Sequence, residues 1–371
     1  MALSLRRLAS LLLLWLAIFP SAAFAGDLPQ LRSQLSVLLD QACAQVSFAP
    51  HTPGFALLIS QNGRLLHEDY RGLAQVRKRH SIDAKTPFRI ASVSKPFAAL
   101  AITQLAEQKR LFYQDPVQVY LPSFPRPHIT IHHLLNHSSG LPDYTAFPFL
   151  KAKADAEDVL KALSTRKPEF SPGSQVRYSN TNYAILALII ERVSGQSLAN
   201  YYSQFIFSPS GMTETYLPGQ QWKQVPDQAL GYERRLHHFT PLESDTYSRI
   251  LGPLGIFSSA EDLDRWLHAL FGHQLCAPEG LQAGLQPSAA HRPGFGPPYG
   301  YGWVITQFGP EELVWHNGHW LGFDSFVARL QRQRTNIILL CNGGYEGRKR
   351  NLTDDLGFPI VDLLMQANLA L

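Results

Sequence analysis

Apolar positions along the chain change their period four times. Leu31, Leu35, Leu38 and Leu39 recur at helical spacing, which predicts a helix over Leu28 to Cys43. Gly54 to Ser60 is an apolar run of strand length, and Gln61-Asn62-Gly63-Arg64 follows it. Asn-Gly between two extended runs predicts a tight hairpin, with Leu65 to Tyr70 as the returning arm. The helical period then takes over. Pro96 to Glu107, Ile129 to His137 behind a Thr130 cap, Ala154 to Leu163, a run through Ala184, Leu188 and Val193, and Ser197 to Ile206 all read as helices. The fourth of these is apolar on nearly every side and is expected in the core, ending at Gly195. Residues 216–250 are rich in Gln, His and Pro and read as loops. Ser259 and Asp262 stand at capping-box spacing before another helix. Tyr299 to Gln307, Glu312 to His316, Phe323 to Leu330 and Thr335 to Cys341 are strand-like, and Leu356 to Leu369 is a last helix too short to span a membrane.

Strands at both ends with helices between them predict an α/β fold of the segregated α+β kind. The early hairpin and the late strands form one antiparallel sheet flanked by the first and last helices, beside a mostly helical subdomain. The expected boundaries are 26–90 with 251–371 for the sheet subdomain and 91–250 for the helical one.

Residues 1–25 stand apart from this pattern. Arg6 and Arg7 precede the short apolar run Leu8 to Phe19, and Ala23-Phe24-Ala25 has the form of a signal-peptide cleavage site. No cysteine follows it, so the expectation is a periplasmic or secreted protein without a lipid anchor or a stable membrane span. Of 33 basic residues, 31 then remain against 29 acidic ones. Near-neutrality excludes a polyanion-binding surface as the leading feature, and no nucleic-acid partner is expected. The 14 histidines show no complete metal-ligand spacing, and no metal site is read. Cys43, Cys276 and Cys341 are odd in number, so one thiol at least is unpaired within a monomer. Cys341, in an apolar strand, is expected as a buried thiol.

The candidate chemistry starts at Ser92-Val93-Ser94-Lys95, which follows an extended segment and opens a helix at Pro96. A serine there sits beside unpaired backbone N–H groups, and a lysine three residues on is one turn away. Buried against apolar neighbours, such an amine can lose its proton and act as a base. Taken alone, the pair is a helix cap and a solvated side chain. Tyr178-x-Asn180 before the apolar helix and His316-Asn317-Gly318 at the end of a strand change that reading. The three stretches resemble the serine β-lactamase/penicillin-binding protein family, in its class C β-lactamase, DD-peptidase and esterase-like branch. The flanks resemble it too: Ile129 to Pro142, Pro172-Gly173, Tyr299-Gly300-Tyr301-Gly302-Trp303, and Gly322-Phe323. The similarity runs in order through about residues 45–345 as one catalytic domain.

The resemblance implies Ser92 as the acylated nucleophile, with Lys95 and Tyr178 sharing the proton transfers. Residue types leave open which of the two is the base. It implies that Asn180 donates to a substrate amide and to Lys95, that the N–H groups of Ser92 and His319 hold the oxyanion, and that Gly318 keeps the strand clear for substrate. His316 and Asn317 stand where many relatives carry lysine and a hydroxyl. No arginine or lysine lies between Arg292 and Arg329. Both departures weaken the case for anchoring a free carboxylate and favour an esterase or broad amide/ester hydrolase. The expectation is therefore an exported, cofactor-free, monomeric serine hydrolase. It would act through an acyl-enzyme on D-alanyl peptides, β-lactams or esters, small-molecule or peptidoglycan-derived. The alternative is a penicillin-binding sensor, acylated without turnover.

Overall fold

A computed structural model describes residues 28–46, 51–147, 150, 153–218, 227–235, 238–242, 247–292, 296–343 and 352–367. The expected leader at 1–25 lies outside them. Six strands make one antiparallel sheet: β1 (Phe55–Gln61), β2 (Arg64–Arg71), β3 (Val304–Phe308), β4 (Glu311–Trp320), β5 (Phe323–Leu330) and β6 (Thr335–Cys341). Their order is β2-β1-β6-β5-β4-β3. Asn62 and Gly63, with φ of 50° and 77°, make the tight turn of the first hairpin. Phe55 pairs with Cys341 and Gln61 with Thr335, so early and late chain meet in the middle of the sheet.

The helices are α1 (Leu28–Val46), α2 (Lys95–Glu107), α3 (Ile131–Leu135), α4 (Ala156–Leu163), α5 (Asn180–Ser194), α6 (Leu198–Tyr202), α7 (Ala260–Phe271), α8 (Pro278–Gly284) and α9 (Phe358–Ala367). Strands β1, β5 and β6 are buried along their whole length, as strands covered on both faces are. Alternation sorts their side chains. Phe55, Leu57, Phe326, Ile337 and Leu339 pack under α1 and α9, against Leu31, Leu35, Ile360 and Leu364. Ala56, Leu58, Val327, Ile338 and Leu340 join the larger core that holds α2, α5 and α7. In that core Phe97 stacks on Trp266 at 4.0 Å, and Trp266 on Trp303 at 5.6 Å. These rings tie α2 and α7 to the turn before β3.

Four elements differ from the reading of the sequence; the strand expected from Tyr299 begins only at Val304, after a turn. Part of the expected loop region pairs as a hairpin, Gly231–Arg235 with His238–Leu242. Buried Tyr232 fixes it, bonding Asn342 O through its N–H and accepting from Val76 N at its hydroxyl. Helix α8 is too short to show a period. β4 runs four residues past His316 because backbone pairing with β5 continues through polar Asn317, Gly318 and His319. Cys276 and Cys341 are buried thiols; the side chain of Cys43 lies outside the described part. No helix among the described residues is long and apolar enough to cross a membrane.

Candidate active site

Ser92 lies on a single 3-10 turn, Ala91–Ser94, that leads directly into α2. Ala91 sits at φ 48°, a left-handed conformation that costs an L-residue roughly 1–2 kcal/mol. Ala91 and Val93, on either side of Ser92, are buried, and the turn leaves Ser92 partly exposed. Ser92 Oγ accepts from Lys95 Nζ at 3.0 Å and from the Tyr178 hydroxyl at 2.9 Å.

Lys95 has no exposed surface. Its Nζ also donates to Asn180 Oδ1 at 2.8 Å and to Pro253 O at 3.2 Å, and stands 4.6 Å from the centre of the Tyr178 ring. Among the described residues it makes no ion pair. Burial pushes this amine well below the ordinary lysine range, and the Asp143 carboxylate opposes that shift without reversing it. Burial drives the Tyr178 phenol the other way, above its usual value, with the Ser92 hydrogen bond acting against that rise.

Asp143 orients Asn180. Its Oδ2 accepts from Asn180 N at 2.7 Å and from Asn180 Nδ2 at 3.0 Å. With the amide nitrogen held there, the amide oxygen must face Lys95, so Asn180 accepts from Lys95 and does not donate to it as the resemblance implied. Asp143→Ala is therefore expected to lower kcat/KM by about tenfold to a hundredfold through misplacement of Asn180 and Lys95. Steady-state kinetics, with circular dichroism to verify the fold, check this.

His316 is buried beside the same phenol, with ring centres 6.2 Å apart. Its Nδ1 lies 2.6 Å from Asn317 O, which can only accept, so Nδ1 carries the proton. Nε2 then accepts from the Tyr299 hydroxyl at 3.0 Å. Burial, with Lys95 nearby, pushes the imidazole down to about 3, so His316 is neutral at physiological pH. His137 is buried beneath the site, its ring 4.5 Å from those of Tyr178 and Tyr299.

β4 closes the site from the other side. His316 and Gly318 take the strand face shared with Val314, and alternation puts Asn317 and His319 on the face of Trp315. His319 Nδ1 pairs there with Asp324 Oδ1 at 2.7 Å. A Cβ on Gly318 would meet Ile90 O at 2.5 Å and Ser92 N at 2.8 Å, so bare backbone lies against the Ser92 turn. The ladder with β3 ends at Trp315 opposite Val304, and residues 316–320 continue beyond it.

The structure thus brings Ser92, Lys95, Tyr178, Asn180, His316 and Gly318 together, with Asn317 and His319 turned to the opposite face of the same strand. Asp143, Pro253, His137 and Tyr299 complete the surroundings, and sequence reasoning gave none of them a role. Asp143 follows Leu141-Pro142, where an aspartate reads as a turn former; only its contact with Asn180 distinguishes it. Among the described residues no group of His, Cys, Asp and Glu could hold a metal ion.

A helix-flanked antiparallel sheet with a Ser-x-x-Lys turn, a tyrosine and a late strand at one point defines the serine β-lactamase-like class. The Beta-lactamase family model matches residues 39–360, and the chain belongs to that family, which includes the penicillin-binding protein homologues. It is 33% identical over 305 residues to Penicillin-binding protein 4* of Bacillus subtilis, covering 77% of this chain and 67% of that protein. It is 32% identical over 307 residues to Protein flp of Staphylococcus aureus, covering 79% of this chain but only 60% of that protein. Among solved structures, the octameric penicillin-binding protein homologue from Pyrococcus abyssi superposes with a TM-score of 0.78 at 26% identity, over 90% of this chain and 77% of that one. The D-amino acid amidase of Ochrobactrum anthropi SV3, complexed with L-phenylalanine amide, shares the fold at a TM-score of 0.77 and 22% identity, over 91% and 99%.

Proposed function

We propose that the chain is a serine hydrolase that acylates Ser92 on an ester or amide and then releases the acyl group to water. One observation carries this: a partly exposed hydroxyl within 3.0 Å of both a buried amine and a phenol. The opposite shifts of the two groups support a division of roles between them. Lys95, pushed down, is the neutral base: its two N–H groups serve Asn180 Oδ1 and Pro253 O, and its lone pair takes the Ser92 proton as Oγ bonds to the carbonyl carbon. Tyr178, pushed up, keeps its proton until it passes it to the leaving group, and it recovers one from Lys95. Water then attacks the acyl carbon, gives its proton to the same pair, and Ser92 Oγ leaves with a proton. The N–H groups of Ser92 and His319 stabilise the tetrahedral oxyanion, a role supported by the approach of Gly318 to Ser92 N. The second hydrogen of Asn180 Nδ2 serves the substrate's acyl side, and the edge of β4 past Trp315 receives substrate as an added strand, with Asn317 along it.

Neutral His316 and the absence of arginine and lysine between Arg292 and Arg329 leave β4 without a fixed cation. The favoured substrates are esters and amides without a free terminal carboxylate beside the scissile bond, including D-amino acid amides. Export through residues 1–25 and a monomeric state belong to the same reading.

The test is a panel of chromogenic esters, D-amino acid amides and a β-lactam, with intact-mass measurement during turnover. Wild type should show a transient adduct and hydrolysis. Ser92→Ala should show no adduct and activity lower by about 10³-fold or more. Undiminished hydrolysis by Ser92→Ala removes the reading, and a lasting adduct without hydrolysis replaces it with a sensor.

A further inference from the structure

At the strand ends remote from Ser92, a cleft of about 620 Å³ opens between α8, the end of α7 and the start of β4. Phe271, Glu279, Leu281, Glu312, Arg329 and Arg334 are among the residues that line it. Glu312 and Gly318 are six residues apart along β4, so the cleft lies roughly 20 Å from the Ser92 turn.

Arg329 is the unusual group. It is 7% exposed, and its guanidinium lies 4.8 Å over the Phe271 ring. Its NH1 donates to Asn336 Oδ1 at 2.6 Å, and Asn336 Nδ2 donates to Asp264 Oδ1 at 2.8 Å. Ser60 Oγ donates to the same carboxylate oxygen at 2.5 Å. One edge of the guanidinium is thereby fixed in place. Its Nε, although buried, has no hydrogen-bond partner among the described residues. A buried donor left unpaired is costly, and a guanidinium recognises carboxylates through several N–H groups at once. No ion pair among the described residues joins Arg329, Arg334, Glu279 or Glu312 to any partner. Cations and carboxylates therefore line one cleft without neutralising each other, the arrangement that suits a ligand bearing both signs.

We propose that this cleft is a second binding site, for a small zwitterion of amino-acid or dipeptide size. Arg329 and Arg334 receive its carboxylate, and Glu312 and Glu279 its ammonium. The volume suits a ligand of that size, and the Phe271 and Leu281 side chains offer it an apolar floor. Nothing in the proposal depends on Ser92 being a nucleophile.

Isothermal titration of the full chain carrying Ser92→Ala, which rules out turnover, tests it with three probes. Glycylglycine carries both charges, N-acetylglycine only the carboxylate, and glycinamide only the ammonium. Glycylglycine should bind with a Kd of about a millimolar, and each single-charge probe more weakly. Adding Arg334→Ala, at an exposed position, or Glu312→Gln, at a half-buried one, should weaken glycylglycine by about tenfold. In the Ser92-intact chain, Arg334→Ala should leave ester hydrolysis unchanged. No binding of glycylglycine overturns the proposal. So does binding that neither substitution weakens, which places the ligand elsewhere, and so does N-acetylglycine binding as tightly as the zwitterion.

Discussion

Lys95→Met is expected to lower turnover by about a thousandfold and to erase a pH dependence of stability expected of the wild type on the alkaline side of neutrality. The amine is fully buried and pushed well below its ordinary value of 10.5. Between the native and unfolded values the unfolded chain holds the proton and the native chain does not. Unfolding there takes up a proton, so stability rises with pH, by about 1.4 kcal/mol per unit, until the unfolded amine also titrates. Methionine has nearly the same length, carries no charge to desolvate and does not titrate. It leaves Asn180 Oδ1 and Pro253 O without their donor, a cost of about 1–3 kcal/mol for each group that stays dry. That cost does not change with pH, so the two contributions separate. Urea unfolding of both proteins from about pH 7 to about pH 9 should show wild type gaining on the variant steadily. A constant difference means that Lys95 stays protonated in the native state, and the base would then have to be Tyr178.

Periodicity exposed those parts of the fold in which one residue type repeats. α1, α2, α5 and the interior strands declare themselves because their apolar positions recur at the spacing of the face they bury. The candidate site was legible for a different reason. Ser92, Lys95, Tyr178, Asn180 and His316 come from three separate stretches, and only their resemblance to a known family placed them together. Residues that act through one neighbour left no such trace. Asp143 matters because Asn180 reaches it across 37 positions, and Pro253 because its carbonyl meets Lys95 across 158. A backbone carbonyl carries no residue signature at all. The distal cleft was equally silent, since Arg329 sits in an apolar strand and its exceptional burial depends on Phe271 from another helix.

The two charged lysine-like positions of the expected site also separate on physical grounds. A histidine at 316 looked like a weakened cation. The structure shows a ring whose two nitrogens are both engaged as a neutral imidazole's would be, one donating to Asn317 O and one accepting from Tyr299. Burial that lowers Lys95 lowers His316 as well, and Lys95 adds to the lowering of His316. A permanent cation on β4 would disfavour protonation of Lys95 further; without one, burial alone holds Lys95 down, and the dry site is spared a charge that would need its own partner.

Gly318→Ala is the second large effect expected: a loss of about a hundredfold in kcat/KM with about 1–3 kcal/mol of stability. The added methyl would stand 2.5 Å from Ile90 O, 2.6 Å from Ser325 Oγ and 2.8 Å from Ser92 N. Ser325 can rotate, at the cost of its own 2.8 Å bond to Ile90 O. The other two atoms are backbone of the turn that holds the nucleophile, itself anchored by Ile90 N to Ile256 O. They cannot yield without moving Ser92, so β4 must back away. A retreat of several tenths of an ångström separates the N–H groups proposed to share the oxyanion, while Lys95, Tyr178 and Asn180 keep their places on other elements. Acylation should slow with the Lys95-dependent pH profile unchanged, which distinguishes lost anion stabilisation from a lost base. His319→Ala, on the opposite strand face, is the control: its backbone N–H remains, and its rate should stay within about threefold of wild type. Wild-type kinetics in Gly318→Ala would place the oxyanion away from β4 and leave only the Ser92 turn to hold it.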